Sequence, residues 1–161
     1  MEEKLYFPVF VDISDKKILV VGGGTIATRR IRALLPFTSQ LLVVAPQVTR
    51  EIEQLSEAGQ IHLYRRNYEK TDVENAYLVV AATNVRKVNH RVGQDARKAG
   101  VFVSVADCKE ECNMLFPGIA LQEGQGLVAG ITASGRNHRL AKIATEKIKN
   151  ILKNMETTTD N

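Results

Sequence analysis

At 161 residues the chain has room for one ordinary domain or two small compact units, and a length near this buries about 70% of its unfolded surface without staples. With 44% apolar and 25% charged residues, and only 11 Gly and 4 Pro, it is neither disordered, nor collagen-like, nor low-complexity. Lys plus Arg number 22 against 18 acids, a net charge of +4 that favours an anionic partner.

From the N-terminus, Glu2 and Glu3 stand where a signal peptide carries basic residues, and no apolar run approaches the roughly 20 residues that span a bilayer. The expectation is a cytoplasmic protein without membrane contact. Lys17–Val21 is a continuous apolar run, as in a strand covered on both faces. Ala27, Ile31, Leu34 and Leu35 then recur at helical spacing until Pro36. Leu41–Val44 is a second strand. Thr49 caps a helix carrying Ile52 and Leu55, which Gly59 stops. Ile61–Tyr64, Tyr77–Ala82 and Val101–Val105 are three further strands. Between the last two, a helix over 84–99 places Val88, Val92, Ala96 and Ala99 on one stripe. This alternation predicts an α/β fold, a Rossmann-like doubly wound parallel sheet.

After Val105 the rhythm changes. The segment 108–113 is polar and turn-like. Its two cysteines, Cys108 and Cys112, are too few for a disulfide framework and have no neighbouring His, so they read as reduced and metal-free. Phe116–Leu121 and Leu127–Ile131 form a hairpin around a glycine-rich turn at 122–126. A final helix from Asn137 to Lys153 carries Leu140, Ile143, Ala144, Ile148, Ile151 and Leu152 as its apolar stripe. The chain therefore divides into a dinucleotide-binding unit over 1–113, a hairpin-and-helix segment over 114–153, and a frayed tail over 154–161. About forty residues cannot bury a core alone, so the second segment is expected to lean on the first unit or on another subunit.

The most specific local signal is Val21-Gly22-Gly23-Gly24-Thr25-Ile26-Ala27, which follows a strand and opens a helix, as the G-x-G-x-x-G/A fingerprint requires. Gly22 permits the tight turn. Gly24 leaves the backbone open to a pyrophosphate, and the helix start offers it unpaired N–H groups. The carboxylate that usually holds the ribose about 20 residues on is missing, because the second strand ends Val44-Ala45-Pro46-Gln47. Either backbone groups and Gln47 meet the ribose, or no dinucleotide binds. No arginine for a 2′-phosphate is obvious, although Arg50 is near, and NAD is favoured over NADP. Zinc-finger spacing, an RNP-type aromatic motif and a long basic arm are all missing, which argues against nucleic acid.

Six motifs in order resemble a known family: Phe7-Pro8-Val9-Phe10-Val11-Asp12, Val20 to Gly24, Val43 to Pro46, Ala81 to Asn84 with Asn89 beyond, Val103 to Asp107, and Phe116-Pro117. Over about 1–150 the chain resembles precorrin-2 dehydrogenase and the N-terminal part of siroheme synthase. That family oxidises precorrin-2 to sirohydrochlorin with NAD, and some members also insert iron. The resemblance implies cofactor contacts at Gly22, Gly24, Thr25, Ile26, Pro46, Gln47 and Thr83, with the ribose held without a carboxylate. It places the family's principal catalytic aspartate at Asp107.

A positioned carboxylate can take the proton that leaves as NAD takes the hydride, help typically worth about 10²–10⁴-fold. A free carboxylate is a weak base at neutral pH unless burial or neighbouring anions strengthen it, and the substrate brings many carboxylates. Arg136, His138 and Arg139 head the basic final helix and are candidate contacts for those groups, since a guanidinium grips a carboxylate through two hydrogen bonds. His62 and His90 read as structural or exposed.

The resemblance also implies a homodimer built on the hairpin and helix. The chain departs from the family pattern at 132–138, where Ala133 replaces a serine and the second glycine and a proline are gone. It also stops where longer members continue, which suits a short dehydrogenase better than a bifunctional chelatase. A non-catalytic NAD(H)-sensing module and an inactive homologue are the alternatives.

Overall fold

The computed structural model describes residues 5–122 and 126–155. Residues 123–125 of the expected hairpin turn and 156–161 of the expected tail lie outside that description. The chain forms two compact units, one over Val11–Met114 and one that joins the residues up to Phe10 with Leu115 onward. The first ten residues thus group with the hairpin and last helix, whereas the sequence boundary at 113 assigns them to the dinucleotide unit. No helix among the described residues is long and apolar enough to cross a membrane.

In the larger unit the order is β1 (Ile18–Val21), α1 (Thr25–Leu34), β2 (Leu41–Val44), α2 (Arg50–Glu57), β3 (His62–Tyr64), β4 (Leu78–Ala81), α3 (Arg86–Lys98) and β5 (Phe102–Val105). The five strands form one parallel sheet in the order β3-β2-β1-β4-β5. β2 keeps the bounds of its sequence pattern, the other four strands are one or two residues shorter and α3 is three shorter, because ends fray where the flanking residue leaves the ladder.

Both faces of the sheet are covered, which is why its strands read as unbroken apolar runs. Leu19, Val21, Val44, Val79, Ala81, Val103 and Val105 share one core cluster with Val92 and Ala96 of α3. Ile18, Val20, Leu41, Val43 and Val80 alternate to the other side, where Ala27, Ile31, Leu34 and Ile52 are also buried. Thr49 caps α2 as expected, its hydroxyl accepting the Ile52 N–H at 3.4 Å. Two stripe assignments differ from the sequence. Ala99 is exposed, because it has left the last turn of α3, and Asn89 is fully buried on the inner face of that helix.

Register fixes what happens next. Val21 pairs with both Val44 and Ala81, and Ala81 pairs with Val105. Four strands therefore end level, and the residues after them emerge along one edge. The order reverses between β1 and β4, the switch point at which doubly wound sheets hold ligands.

The smaller unit contains an antiparallel pair, β6 (Gly118–Gln122) and β7 (Leu127–Ile131), and α4 (His138–Met155). Asn137 caps α4 by accepting the Leu140 N–H at 2.8 Å, and the helix continues past Lys153 to Met155. Thr145 is buried against the hairpin, with its Oγ1 2.2 Å from where a Gly118 Cβ would stand. The amide of Gln122 donates to Leu152 O at 3.1 Å. The six-residue stripe expected on α4 splits in two. Ala144, Ile148 and Leu152 are half-buried, while Leu140, Ile143 and Ile151 are exposed on a neighbouring face. A two-stranded hairpin is too narrow to cover more than one side of a helix.

Replacing Ile31 by Ala deletes a fully buried side chain of α1 and is expected to cost about 2–5 kcal/mol in urea unfolding. A loss below about 1 kcal/mol would mean that this face of the sheet closes without it.

Candidate functional site

The level strand ends bound a cleft of about 570 Å³, in the size range of small-molecule sites. It is lined from Val21 to Gly24, from Val44 to Thr49 and from Ala82 to Val85, together with Asn67, Tyr68, Val88 and Arg91.

The three glycines play different parts. Gly22 has φ +127°, and a Cβ there would lie 2.3 Å from the Ala82 carbonyl oxygen. A Cβ on Gly23 would lie 2.1 Å from the Gln47 carbonyl oxygen. Gly22 and Gly23 therefore let the ends of β4 and β2 close on the loop. Gly24 faces open space, with nothing within 4 Å of its Cβ position. Sequence reasoning named Gly22 and Gly24 and passed over Gly23, whose constraint comes from the chain beyond β2.

Thr25 and Ile26 form the exposed first turn of α1 just after Gly24. That turn has no side-chain cap and no acid, so its N–H groups and partial positive charge remain available to an anion. Pro46 and Gln47 line the cleft after β2, and the Thr49 hydroxyl lies 2.9 Å from that of Thr28, tying this loop to α1. No carboxylate is among the lining residues.

The arginine that lines the cleft is Arg91, not Arg50. Its guanidinium lies 5.8 Å from the Tyr68 ring centroid, and the Tyr68 hydroxyl donates to Asp95 at 3.0 Å. Burial, with that hydrogen bond to a carboxylate, pushes the Tyr68 hydroxyl well above its ordinary value. Asn67, Tyr68 and Arg91 were not legible as site residues, because the first two lie in the long β3–β4 connection and the third on α3.

These features suit a dinucleotide: an uncapped helix start, a glycine opening into the cleft, and walls free of negative charge.

Thr83 continues the edge after β4 and is clasped by Asn89. The Thr83 N–H donates to Asn89 Oδ1 at 2.9 Å, and its hydroxyl lies 2.7 Å from the same oxygen. One strand over, Asp107 accepts from Asn89 Nδ2 at 2.9 Å on Oδ2, and Arg86 Nη1 lies 3.5 Å from Oδ1. The Asp107 side chain remains 37% exposed, so a molecule at the edge can reach it.

Arg86 also binds Glu111, which meets His90 Nδ1 at 2.6 Å. The hydrogen bond from Arg86, opposed by desolvation and aided by His90, holds the Glu111 carboxyl below its usual range. Cys112 accepts the Val105 N–H on sulfur at 3.1 Å, and both cysteines are free thiols. Among the described residues no group of three or more His, Cys, Asp or Glu side chains could hold a metal ion. Arg136, His138 and Arg139 are exposed at the head of α4, in the smaller unit.

The family model described as "Putative NAD(P)-binding" matches residues 9–118. The structure of SirC, a precorrin-2 dehydrogenase, aligns with a TM-score of 0.78 at 32% identity, over 91% of this chain and 70% of that one. The chain belongs to the precorrin-2 dehydrogenase and siroheme synthase N-terminal family. Curated relatives agree. The "Probable multifunctional siroheme biosynthesis protein HemA" of Ruminiclostridium josui is 45% identical over 146 residues, 90% of this chain and 28% of that protein. The siroheme synthase of Photorhabdus laumondii is 35% identical over 147 residues, 91% of this chain and 31% of that protein. The chain thus spans about a third of the length of these curated relatives.

Two outcomes check this site. Gly24→Ala adds a methyl group toward the cleft and should weaken NADH binding about tenfold or more in calorimetry without lowering Tm. Gly22→Ala strikes the Ala82 carbonyl instead and should destabilise the fold by more than about 2 kcal/mol. Glu111 supplies a pH test. Its lowered folded value means its stabilisation is present above the ordinary 4.5 and lost as pH falls through the lowered value. The Tm gap between wild type and Glu111→Gln should therefore be widest near neutral pH and close in acid.

Proposed function

We propose that this chain binds NAD and oxidises precorrin-2 to sirohydrochlorin in the cytoplasm, as a step of siroheme synthesis on a small molecule rather than on nucleic acid. Bound NAD supplies the hydride acceptor. Gly22 and Gly24, with the helix start at Thr25 and Ile26, would hold its diphosphate, and Pro46, Gln47 and Thr83 would complete the cleft around it. Asp107 accepts the proton that leaves the substrate as the hydride goes, and later returns it to solvent.

The observation that carries this reading is the Asn89 amide, which joins Thr83 on the cleft wall to Asp107 on the next strand end. An acidic side chain coupled in this way to the cofactor wall is what a dehydrogenase needs and a nucleotide sensor does not. Arg136, His138 and Arg139 take the acetate and propionate groups of the tetrapyrrole. The smaller unit pairs two copies of the chain through the apolar face of α4 that the hairpin leaves uncovered. Leu140 is 57% exposed there, Ile143 44% and Ile151 58%, a row of apolar side chains along one stripe of the helix, as at an interface.

The decisive measurement is NADH formation from enzymatically generated precorrin-2. Wild type should turn over, and Asp107→Ala should lose about 100-fold or more in rate with NADH affinity intact. Equal rates would remove Asp107 from the mechanism, and NADH binding without turnover would favour the sensor. Light scattering should give a dimer, which Ile143→Glu and Ile151→Glu together should convert to a monomer. A monomeric wild type would sink the pairing.

A further inference from the structure

We propose that Asn89 is a positioning residue that keeps Asp107 Oδ2 as a pure hydrogen-bond acceptor and thereby leaves Oδ1 as the oxygen that takes up the proton. This deepens the reading of Asp107 given above and rests on it.

Asn89 is fully buried on α3, beside Val92 and Ala96, at a place where an amide without partners is costly. Its hydrogen-bonding capacity is filled. Oδ1 faces the Thr83 N–H at 2.9 Å and the Thr83 hydroxyl at 2.7 Å. Nδ2 donates to the Thr83 carbonyl at 3.0 Å and to Asp107 Oδ2 at 2.9 Å.

The orientation of the amide follows from chemistry. A backbone N–H can only donate, so the oxygen of Asn89 must face Thr83. The Thr83 carbonyl can only accept, so the nitrogen must face that carbonyl. One N–H then remains, and it points at Asp107. Oδ2 of Asp107 must accept it and cannot carry a proton toward it, which leaves Oδ2 one lone pair and biases an arriving proton to Oδ1.

The surroundings of Oδ1 suit that role. Arg86 Nη1 stands 3.5 Å away, at the limit of a hydrogen bond, and the same guanidinium is bound to Glu111. Glu111 is paired in turn with His90. The charged and titratable groups around Asp107 are therefore Arg86 and His90 from α3, with Glu111 and the Cys108 thiol from the segment after β5. Arg86 draws the carboxylate toward the exposed side while Glu111 offsets part of its charge. Asn89 thus sets one strand end against the other and leaves Oδ1 of Asp107 with the weaker contact, Arg86 Nη1 at 3.5 Å.

The test uses the isosteric change Asn89→Asp. It keeps the acceptor for the Thr83 N–H and hydroxyl but turns the donor that faces both the Thr83 carbonyl and Asp107 into an oxygen. Two carboxyl groups then share a site, and the titration midpoint of the Asp107 carboxyl carbon, read by NMR, should rise by about one pH unit or more. Both Thr83 donors keep their acceptor while the bond to the Thr83 carbonyl is lost, so NADH affinity should fall by less than the rate. An unmoved midpoint overturns the proposal.

Should N89D not fold, the double variant N89D/D107N restores one donor and one carboxylate in exchanged places and should regain much of the lost Tm. A double variant no more stable than N89D also overturns it. In the NADH-forming assay, the acid limb of the N89D kcat profile should move up with the carboxyl midpoint while the KM for NAD stays put. A rate loss at unchanged pH dependence counts against positioning. If wild type forms no NADH, the functional reading fails, while the carboxyl titration still decides the pairing of Asn89 with Asp107.

Discussion

Two backbone carbonyls press on the loop after β1. The Ala82 oxygen leaves no space for a Cβ on Gly22, and the Gln47 oxygen leaves none on Gly23. These close approaches come from strand ends that the parallel register holds level. The loop is thus squeezed between its two neighbours and has one direction left to open, which is the side of Gly24. An uncapped helix start lies directly behind that opening. Backbone packing alone therefore makes the anion cradle, and no side chain is needed to form it.

Charge is arranged along the same edge with little waste. The cleft is lined without carboxylates and with one arginine, so a diphosphate meets no repulsion there. Two acids lie one strand over, each with charged or amide partners, although Oε2 of Glu111 is buried without a hydrogen bond. Asp107 has Asn89 and Arg86, and Glu111 has Arg86 and His90. The Asn89 amide bonds Asp107 without adding charge, and it stiffens the link between the ends of β4 and β5, since every polar atom of Asn89 is committed.

The smaller unit obeys a different constraint. Its hairpin has two strands and covers one face of α4, so the remaining apolar side chains of that helix stay in solvent. The left-handed backbone at Ser134 and Gly135 closes the turn between β7 and α4. Ser134 holds that conformation with its N–H on the Thr132 hydroxyl at 3.0 Å. The atypical 132–138 segment therefore keeps a tight turn with one glycine fewer than the family pattern.

Strand and helix periodicity, the glycine fingerprint and the order of the six motifs were legible in the sequence, because each is a local pattern with a local cause. Apolar runs marked the strands, and Thr49 and Gly59 bounded α2 within a residue or two. Only the resemblance assigned chemistry to Asp107, since an acid after a strand is common. What the sequence could not express is contact across the sheet. Asn89 was named in the sequence only as part of a motif, and its partners lie 6 and 18 positions away just past two strand ends. Gly23, Tyr68 and Arg91 owe their places to segments that meet only after β3, β2, β1 and β4 are laid in that order. The sequence by itself determined the elements and the loop chemistry, because those depend on neighbours along the chain. Tertiary structure alone decided which polar atoms face one another, because that depends on strand order and register.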